Sequence, residues 1–156
     1  MNAPAKVTHP ADDTVIIERW FMAPPALIWT FWTDPAHMAR WWAPHGMTPE
    51  RLQVEAREGG AWELDIRGED SLYRLRGRYL TLEKPRRLVS TWAWLSDDGE
   101  LGPESQYEAV FEPDGTGTLL TLTHSGLPFD QAQSHGGGWM STLDSLDIHI
   151  EAETGA

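Results

Sequence analysis

The feature that most constrains the fold is a change in the spacing of hydrophobic residues along the chain. They recur every three to four positions between residues 23 and 42, alternate with polar residues between 51 and 125, and return to helical spacing near the C-terminus. Period two is typical of a strand with one buried face, and a period near 3.6 is typical of an amphipathic helix. The pattern predicts a run of strands that is preceded and followed by helices.

Local signals predict the individual elements. A β-branched and aromatic run predicts a strand at 14–21, and two prolines suit the first turn of a short helix at 23–32. Asp34 and Pro35 match the N-cap and first position of a second short helix at 35–42. Further strands are predicted at 51–56, 61–67, 72–83, 87–95, 105–112 and 118–125, and the stripe of a long C-terminal helix contains Trp139, Leu143, Leu146 and Ile150.

This order predicts an α+β fold with one curved antiparallel sheet, because successive strands are joined by short turns. The long C-terminal helix is the element able to cover one face of the sheet, and the two short helices then close one end. Residues 1–13 are predicted to be a disordered leader, and residues 14–152 a single domain.

Alternation places large aromatic side chains on the covered face. The chain contains nine tryptophans, and rigid rings in such number are hard to pack as a plain core. Buried indole and phenol groups also need hydrogen-bond partners, so a partly polar cavity is predicted under the last helix. The residues expected on the covered side are Trp62, Tyr73, Tyr79, Trp92, Trp94, Tyr107, His124 and Trp139.

Two adjacent tryptophans, Trp41 and Trp42, lie at the predicted end of the second short helix. One interpretation is that they form the rim of a binding cavity where the sheet opens. The other is that they plug that end of the core, because aromatic anchors serve cores and pockets alike. The sequence leaves both open.

Composition excludes several classes of function. The absence of cysteine removes disulfides, thiolate metal sites and cysteine nucleophiles. A net charge of −12 disfavours binding to nucleic acids and to anionic membranes. There is no signal-peptide pattern and no apolar run of the roughly 20 residues that a membrane span needs, so a cytoplasmic protein is expected.

Chemistry-bearing motifs are few. The six histidines show no metal-ligand spacing, and no phosphate-binding loop or nucleophile elbow occurs, so no metal, cofactor or catalytic residue is predicted. His124 is either a cavity acid or base or, as we favour, a buried histidine that is hydrogen-bonded to a tyrosine or a backbone carbonyl. Arg74, Arg76 and Arg78 either bind an anion or, as we favour, pair with Glu63 and Asp65 across strands.

The chain resembles the activator-of-heat-shock-protein-90-ATPase homologue-like family of the START-like (SRPBCC, birch-pollen-allergen-like) superfamily. The resemblance implies a helix-grip fold, in which a sheet wraps around a long C-terminal helix, with a hydrophobic ligand cavity between them. The matching stretches, in order, are 23-APPALIWTFWTDPAHMARWWAP-44, 59-GGAW-62, 77-GRYLTLEKPRRLVSTWAW-94, 116-TGTLLTLTHSGL-127 and 138-GW-139, followed by Leu143 and Leu146.

We therefore expect a non-enzymatic module that holds a small hydrophobic or aromatic molecule, as a monomer or homodimer. The resemblance alone implies two alternatives, a chaperone-interacting protein acting in stress and a cyclase- or hydrolase-like enzyme that uses His124. The expected ligand-binding residues are Trp41, Trp42, Trp62, Tyr79, Trp92, Trp94, Tyr107, His124 and Trp139.

Overall fold

The elements follow the predicted order, with one strand added at the start. The computed structural model describes residues 5–43, 46–127 and 132–154, and for residues 132–137 it describes the backbone alone. In chain order, the elements are β1 (Lys6–Ala11), β2 (Thr14–Phe21), α1 (Pro25–Thr33), α2 (Pro35–Trp41), β3 (Thr48–Val54), β4 (Ala61–Arg67), β5 (Leu72–Glu83), β6 (Arg87–Leu95), β7 (Ser105–Asp114), β8 (Gly117–Ser125) and α3 (Ala132–Thr154).

The strands form one antiparallel sheet in the order β1-β2-β8-β7-β6-β5-β4-β3. From β3 to β8 each strand pairs with the next along the chain, as the short turns predict. The connection that breaks this order is β2 to β8, whose register runs from Val15 opposite His124 to Phe21 opposite Thr118. The predicted α+β helix-grip fold is confirmed.

The two short helices form where the local signals place them. Pro25 occupies the first turn of α1, and Asp34 caps α2 by accepting a hydrogen bond from the backbone N–H of His37 at 3.3 Å. Helix α1 packs against β7 and β8, while α2 packs against β3 and α3. Together they cover one end of the concave face.

Helix α3 covers the concave face with the predicted stripe. Trp139, Leu143, Leu146 and Ile150 are all buried. The helix comes closest to β2, where the Arg19 guanidinium lies 2.6 Å from the Asp144 carboxylate. No helix in the described parts of the chain is both long and apolar enough to cross a bilayer.

A glycine on β5 allows the sheet to accept one of the large rings. Gly77 lies opposite Trp62 in the register of β4 and β5. A Cβ built on Gly77 would lie 2.2 Å from the Trp62 ring, well inside van der Waals contact. The glycine therefore lets the indole lie against the backbone of the neighbouring strand.

Residues 1–13 were predicted to be a disordered leader. In the structure, Lys6–Ala11 of this segment forms β1 on the edge of the sheet. Every side chain of β1 is exposed, so the strand carries no hydrophobic alternation that a sequence pattern can detect. Its order comes from backbone pairing with β2. Residues 1–4 of the predicted leader lie outside the described residues.

The arginines of β5 lie on the outer face, as predicted, but they do not share the predicted partners equally. Arg76 contacts both carboxylates, at 3.1 Å from Asp65 and 3.7 Å from Glu63. Arg74 and Arg78 instead donate to backbone carbonyls, those of Ser96 and Gly59. The cross-strand interpretation therefore holds for Arg76 alone, because its guanidinium reaches both acidic side chains of β4.

Tyr73 departs from the prediction that the whole aromatic set is covered. Its side chain is 40% exposed and contacts Trp94, which is 38% exposed. Alternation predicts the face correctly but not how far the covering elements extend. Helix α3 comes closest to β2, so the far ends of β5 and β6 are left partly open.

Candidate functional site

Aromatic rings fill the part of the concave face that lies under α1 and α2. Trp32 contacts Trp41 at 5.0 Å, Phe111 at 5.7 Å and Tyr107 at 6.1 Å between ring centroids. All four of these residues are buried to within 1% of full coverage. The mutual orientations are tilted or edge-to-face, which is the favoured geometry for aromatic pairs.

The two adjacent tryptophans have different positions. Trp41 is enclosed in this aromatic core, and its indole N–H donates to the Phe31 carbonyl at 2.8 Å. Trp42 contacts Trp62 at 5.0 Å and forms part of the wall of a cavity. The plug interpretation therefore describes Trp41. Trp42 is a buried part of the cavity wall, and the binding role in the rim interpretation stays a prediction.

A cavity of about 220 Å³ lies between the sheet and the first part of α3. One side is aromatic, and the other is formed by aliphatic side chains of β4 and β5. Small residues of α3 and of the segment after α2 complete it. Its lining consists of Trp42, Ala43, Leu64, Ile66, Leu75, Trp92, Trp94, Gly138, Trp139 and Thr142.

Four of the nine predicted ligand-binding residues line this cavity: Trp42, Trp92, Trp94 and Trp139. The other five do not line it. Trp41 and Trp62 are hydrogen-bonded within the core, Trp62 through its indole N–H to the Ser90 hydroxyl at 2.7 Å. Tyr79, Tyr107 and His124 are fully buried deeper in the sheet.

Small residues of the lining were not among the predicted site residues. Ala43, Gly138 and Thr142 contribute little apolar area, so aromatic patterning does not reveal them. The signal available in the sequence is the helical spacing of Gly138 and Thr142, one turn apart beside Trp139. The aliphatic lining residues Leu64, Ile66 and Leu75 were also not among the predicted site residues.

A chain of hydrogen bonds fixes Trp139 against the sheet. Its indole N–H donates to Nδ1 of His124 at 3.0 Å, and Nε2 of His124 lies 2.7 Å from the Ser105 hydroxyl. An indole nitrogen only donates, so Nδ1 is the acceptor and the ring proton is on Nε2. His124 then donates to Ser105, whose hydroxyl donates to the Trp92 carbonyl at 3.2 Å.

This arrangement bears on the predicted alternatives for His124. The residue is buried, and its hydrogen-bond partners among the described residues are Ser105 and Trp139, which the prediction did not name. Because Nε2 already carries the ring proton, it cannot accept one from the Ser105 hydroxyl. In this tautomer the pair is not set up as a nucleophile and its general base, because the ring nitrogen facing the hydroxyl is a donor.

Burial makes the two phenols of the sheet interior harder to ionise. Burial raises the pKa of Tyr79, and burial together with the nearby Tyr79 raises the pKa of Tyr107 well above its usual value. The Tyr79 hydroxyl and the indole N–H groups of Trp32 and Trp42 have no hydrogen-bond partner among the described residues. Of these three residues only Trp42 lines the cavity, whose wall is mainly apolar, in contrast to the partly polar cavity that was predicted.

No charged side chain lines the cavity within residues 5–43, 46–127 and 138–154. The described part of the chain contains no group of three or more histidine or acidic side chains that could hold a metal ion. The site has the composition of an apolar binding pocket, because its described walls offer neither ion-pairing groups nor metal ligands.

Comparison with known families gives a match to a family described as Activator of Hsp90 ATPase homolog 1-like protein, over residues 22–151. The matched region contains α1, α2, the strands from β3 to β8 and all but the last turn of α3. Every described residue that lines the cavity falls within it. The comparison with curated proteins gives no match.

Solved structures share the fold over most of the chain. The AHSA1 protein from Silicibacter pomeroyi is 28% identical, with a TM-score of 0.83 over 90% of this chain and 99% of that one. A protein from Chromobacterium violaceum is 26% identical, with a TM-score of 0.82 and the same coverage. CalU16 from Micromonospora echinospora is 28% identical, with a TM-score of 0.67 over 99% of this chain and 87% of that one.

Proposed function

The chain belongs to the Activator of Hsp90 ATPase homolog 1-like family, and we propose that this member is a non-enzymatic module that binds one small hydrophobic molecule. The family supports a ligand-binding or chaperone-associated module. The observation that carries the proposal is the cavity of about 220 Å³ beneath α3, walled by four indoles and three aliphatic side chains.

The size of the cavity limits the ligand. A cavity of about 150 Å³ lined by apolar side chains is enough to hold benzene, whereas pockets for drug-sized ligands begin near 300 Å³. The ligand therefore has one or two rings, or an aliphatic body of similar size. Trp94 is a partly exposed residue of the cavity wall, and it marks the side from which the ligand enters.

The uncharged wall of the cavity and the negative charge of the whole protein both favour a neutral ligand. A carboxylate or phosphate would be desolvated against indole and aliphatic walls without an ion-pairing partner among the described lining residues. The net charge of −12 also repels anions from the protein as a whole. A neutral apolar molecule avoids both costs.

Titration with naphthalene, followed by tryptophan fluorescence and by thermal shift, tests the proposal. We expect saturable quenching and a rise in Tm that grows with ligand concentration. Gly138→Leu is the blocked variant, because a Cβ at Gly138 meets no atom within 4 Å and the larger side chain extends into the cavity.

A matched control is Ala152→Leu, which adds the same side chain at an exposed position of the same helix. The control should bind as the wild type does, while Gly138→Leu loses binding without unfolding. Equal binding by the two variants would place the ligand elsewhere. The proposal would be removed if the wild type showed no saturable binding of naphthalene or of any other compound in a panel of neutral one- and two-ring molecules.

A chaperone-associated role is the second candidate, and the family match is the observation that favours it. This role requires the cytoplasmic location that the sequence predicts. An ATPase assay of a bacterial heat-shock protein 90 with increasing amounts of this protein tests it. Stimulation that saturates supports the role, and an unchanged rate at high excess argues against it.

A further inference from the structure

One turn of α3 gives the cavity a single polar feature besides its indoles. Among the described residues of the wall, Thr142 is the one whose side chain has a polar group other than an indole N–H. It is 7% exposed, and its hydroxyl donates to the Gly138 carbonyl at 2.9 Å. The hydroxyl is therefore held in one orientation.

The oxygen of the Thr142 hydroxyl remains available as a hydrogen-bond acceptor. A threonine hydroxyl has one proton and two lone pairs, and the proton of Thr142 is already used within the helix. The oxygen can then accept a hydrogen bond but has no second proton to donate. In contrast, an indole N–H only donates. That of Trp139 is already bonded to His124, and that of Trp42 has no partner among the described residues, so the wall also offers a ligand one donor.

The position is also accessible to a ligand. Gly138 lies one turn before Thr142, lines the same cavity and has open space where a Cβ would lie. Valine has nearly the shape of threonine and would bury no hydroxyl in an otherwise apolar wall. The hydroxyl at this position, already bonded to Gly138 through its proton, therefore adds an acceptor to the wall that a ligand with a donor group can use.

We infer that the ligand is a neutral aromatic molecule with one hydrogen-bond donor, of the phenol or indole class, whose O–H or N–H is accepted by the Thr142 hydroxyl. This rests on the proposed function and assigns Thr142 as the residue that determines specificity. The aromatic body lies against the indole wall, and the donor points to the α3 turn at 138–142.

A pair of probes that differ by one hydroxyl tests the inference: naphthalene and 2-naphthol, titrated by calorimetry at neutral pH. The measured quantity is the ratio of the naphthalene Kd to the 2-naphthol Kd. Thr142→Val keeps the shape of the side chain and removes the acceptor, so this ratio is expected to fall roughly tenfold. Thr142→Ser keeps the hydroxyl and is expected to preserve the wild-type ratio.

Thr142→Ala also lacks the hydroxyl and gives a second measurement if Thr142→Val is poorly folded. The same ratio in the wild type and in the variants without the hydroxyl would overturn the inference, while the proposed binding function would stand. A ratio in Thr142→Ser as low as that in Thr142→Val would overturn it too. Failure of both probes to bind the wild type would instead contradict the proposed function itself.

Discussion

The two ends of the interior contain the same kind of side chain and differ in how completely it is packed. At the end under α1 and α2, which we call the filled end, Phe31, Trp32, Trp41 and Phe111 are covered to within 1%. At the other end, which we call the hollow end, Trp94 remains 38% exposed, and Trp92 and Trp94 line a cavity of about 220 Å³.

The difference shows that the covering helices, rather than the aromatic side chains, determine where space remains. At the filled end, α1 packs directly on β7 and β8, so the rings interlock. Helix α3 lies closest to β2 and α2 and is further from β4, β5 and β6. Large rings on that side meet the helix on one flank and leave a gap on the other.

The largest expected effect comes from removing a ring at the filled end. Trp32→Ala deletes a fully buried indole that contacts five other aromatic side chains, so it should lower the free energy of unfolding by about 3–5 kcal/mol. Trp94→Ala at the hollow end should cost less than about 1 kcal/mol. Urea denaturation measures both, and equal losses would break the distinction between the two ends.

His124 should matter more for stability than its lack of a catalytic arrangement suggests. His124→Leu leaves the Trp139 N–H buried without its acceptor, which should cost about 1–3 kcal/mol in urea denaturation. His124→Asn places an amide oxygen near the position of Nδ1 and should recover part of the loss. A leucine variant as stable as the wild type would show that the hydrogen-bond chain does not hold α3 on the sheet.

Gly77 tests how closely the rings approach the sheet between the two ends. A Cβ at this position would meet the Trp62 ring at 2.2 Å, so Gly77→Ala should lower the free energy of unfolding by about 1–3 kcal/mol through overpacking. Gly138→Ala is the control, because its Cβ has open space in the helix and should stabilise the protein by up to about 1 kcal/mol. Thermal unfolding of both variants gives the comparison, and a neutral Gly77→Ala would contradict the close approach.

The smallest expected effect concerns the cap of α2. The hydrogen bond from the His37 side chain lowers the pKa of the Asp34 carboxyl below its ordinary value of 3.8. The stability that it contributes is therefore present above that value and is lost as the pH falls through the lowered pKa. Asp34→Ala should cost about 1 kcal/mol at pH 7 and progressively less as the pH falls below about 4.

Urea denaturation across that pH range measures the Asp34 effect. Glu69→Ala, at an exposed turn, is the control and should change the stability by less than about 0.5 kcal/mol at pH 7. A loss for Asp34→Ala that does not depend on pH would mean that the carboxylate contributes through something other than its charge.

Much of the fold could be predicted because its elements carry strong local signals. The strands at 61–67, 72–83 and 87–95 agree with β4, β5 and β6 at both ends, since alternation and turn residues define them. β1 could not be predicted, because its exposed side chains show no pattern and its order depends on pairing with β2.

The site could be predicted only in part. Alternation indicates that Trp92 and Trp94 face inward, but not that Trp94 lies beyond the cover of α3. The partners of His124 come from β7 and α3, far away in sequence, so no local spacing reveals them. Thr142 is marked in the sequence by little more than its helical spacing from Gly138, because its place in the cavity wall depends on the gap between a helix and the sheet.

Xenon binding in a pressurised crystal tests the central claim most directly, because xenon occupies dry apolar cavities without requiring any particular ligand chemistry. We predict a xenon atom at the hollow end, in contact with Trp42, Leu75 and Trp92, and none among the rings of the filled end. Xenon density among the filled-end rings, or none at the hollow end, would contradict the account.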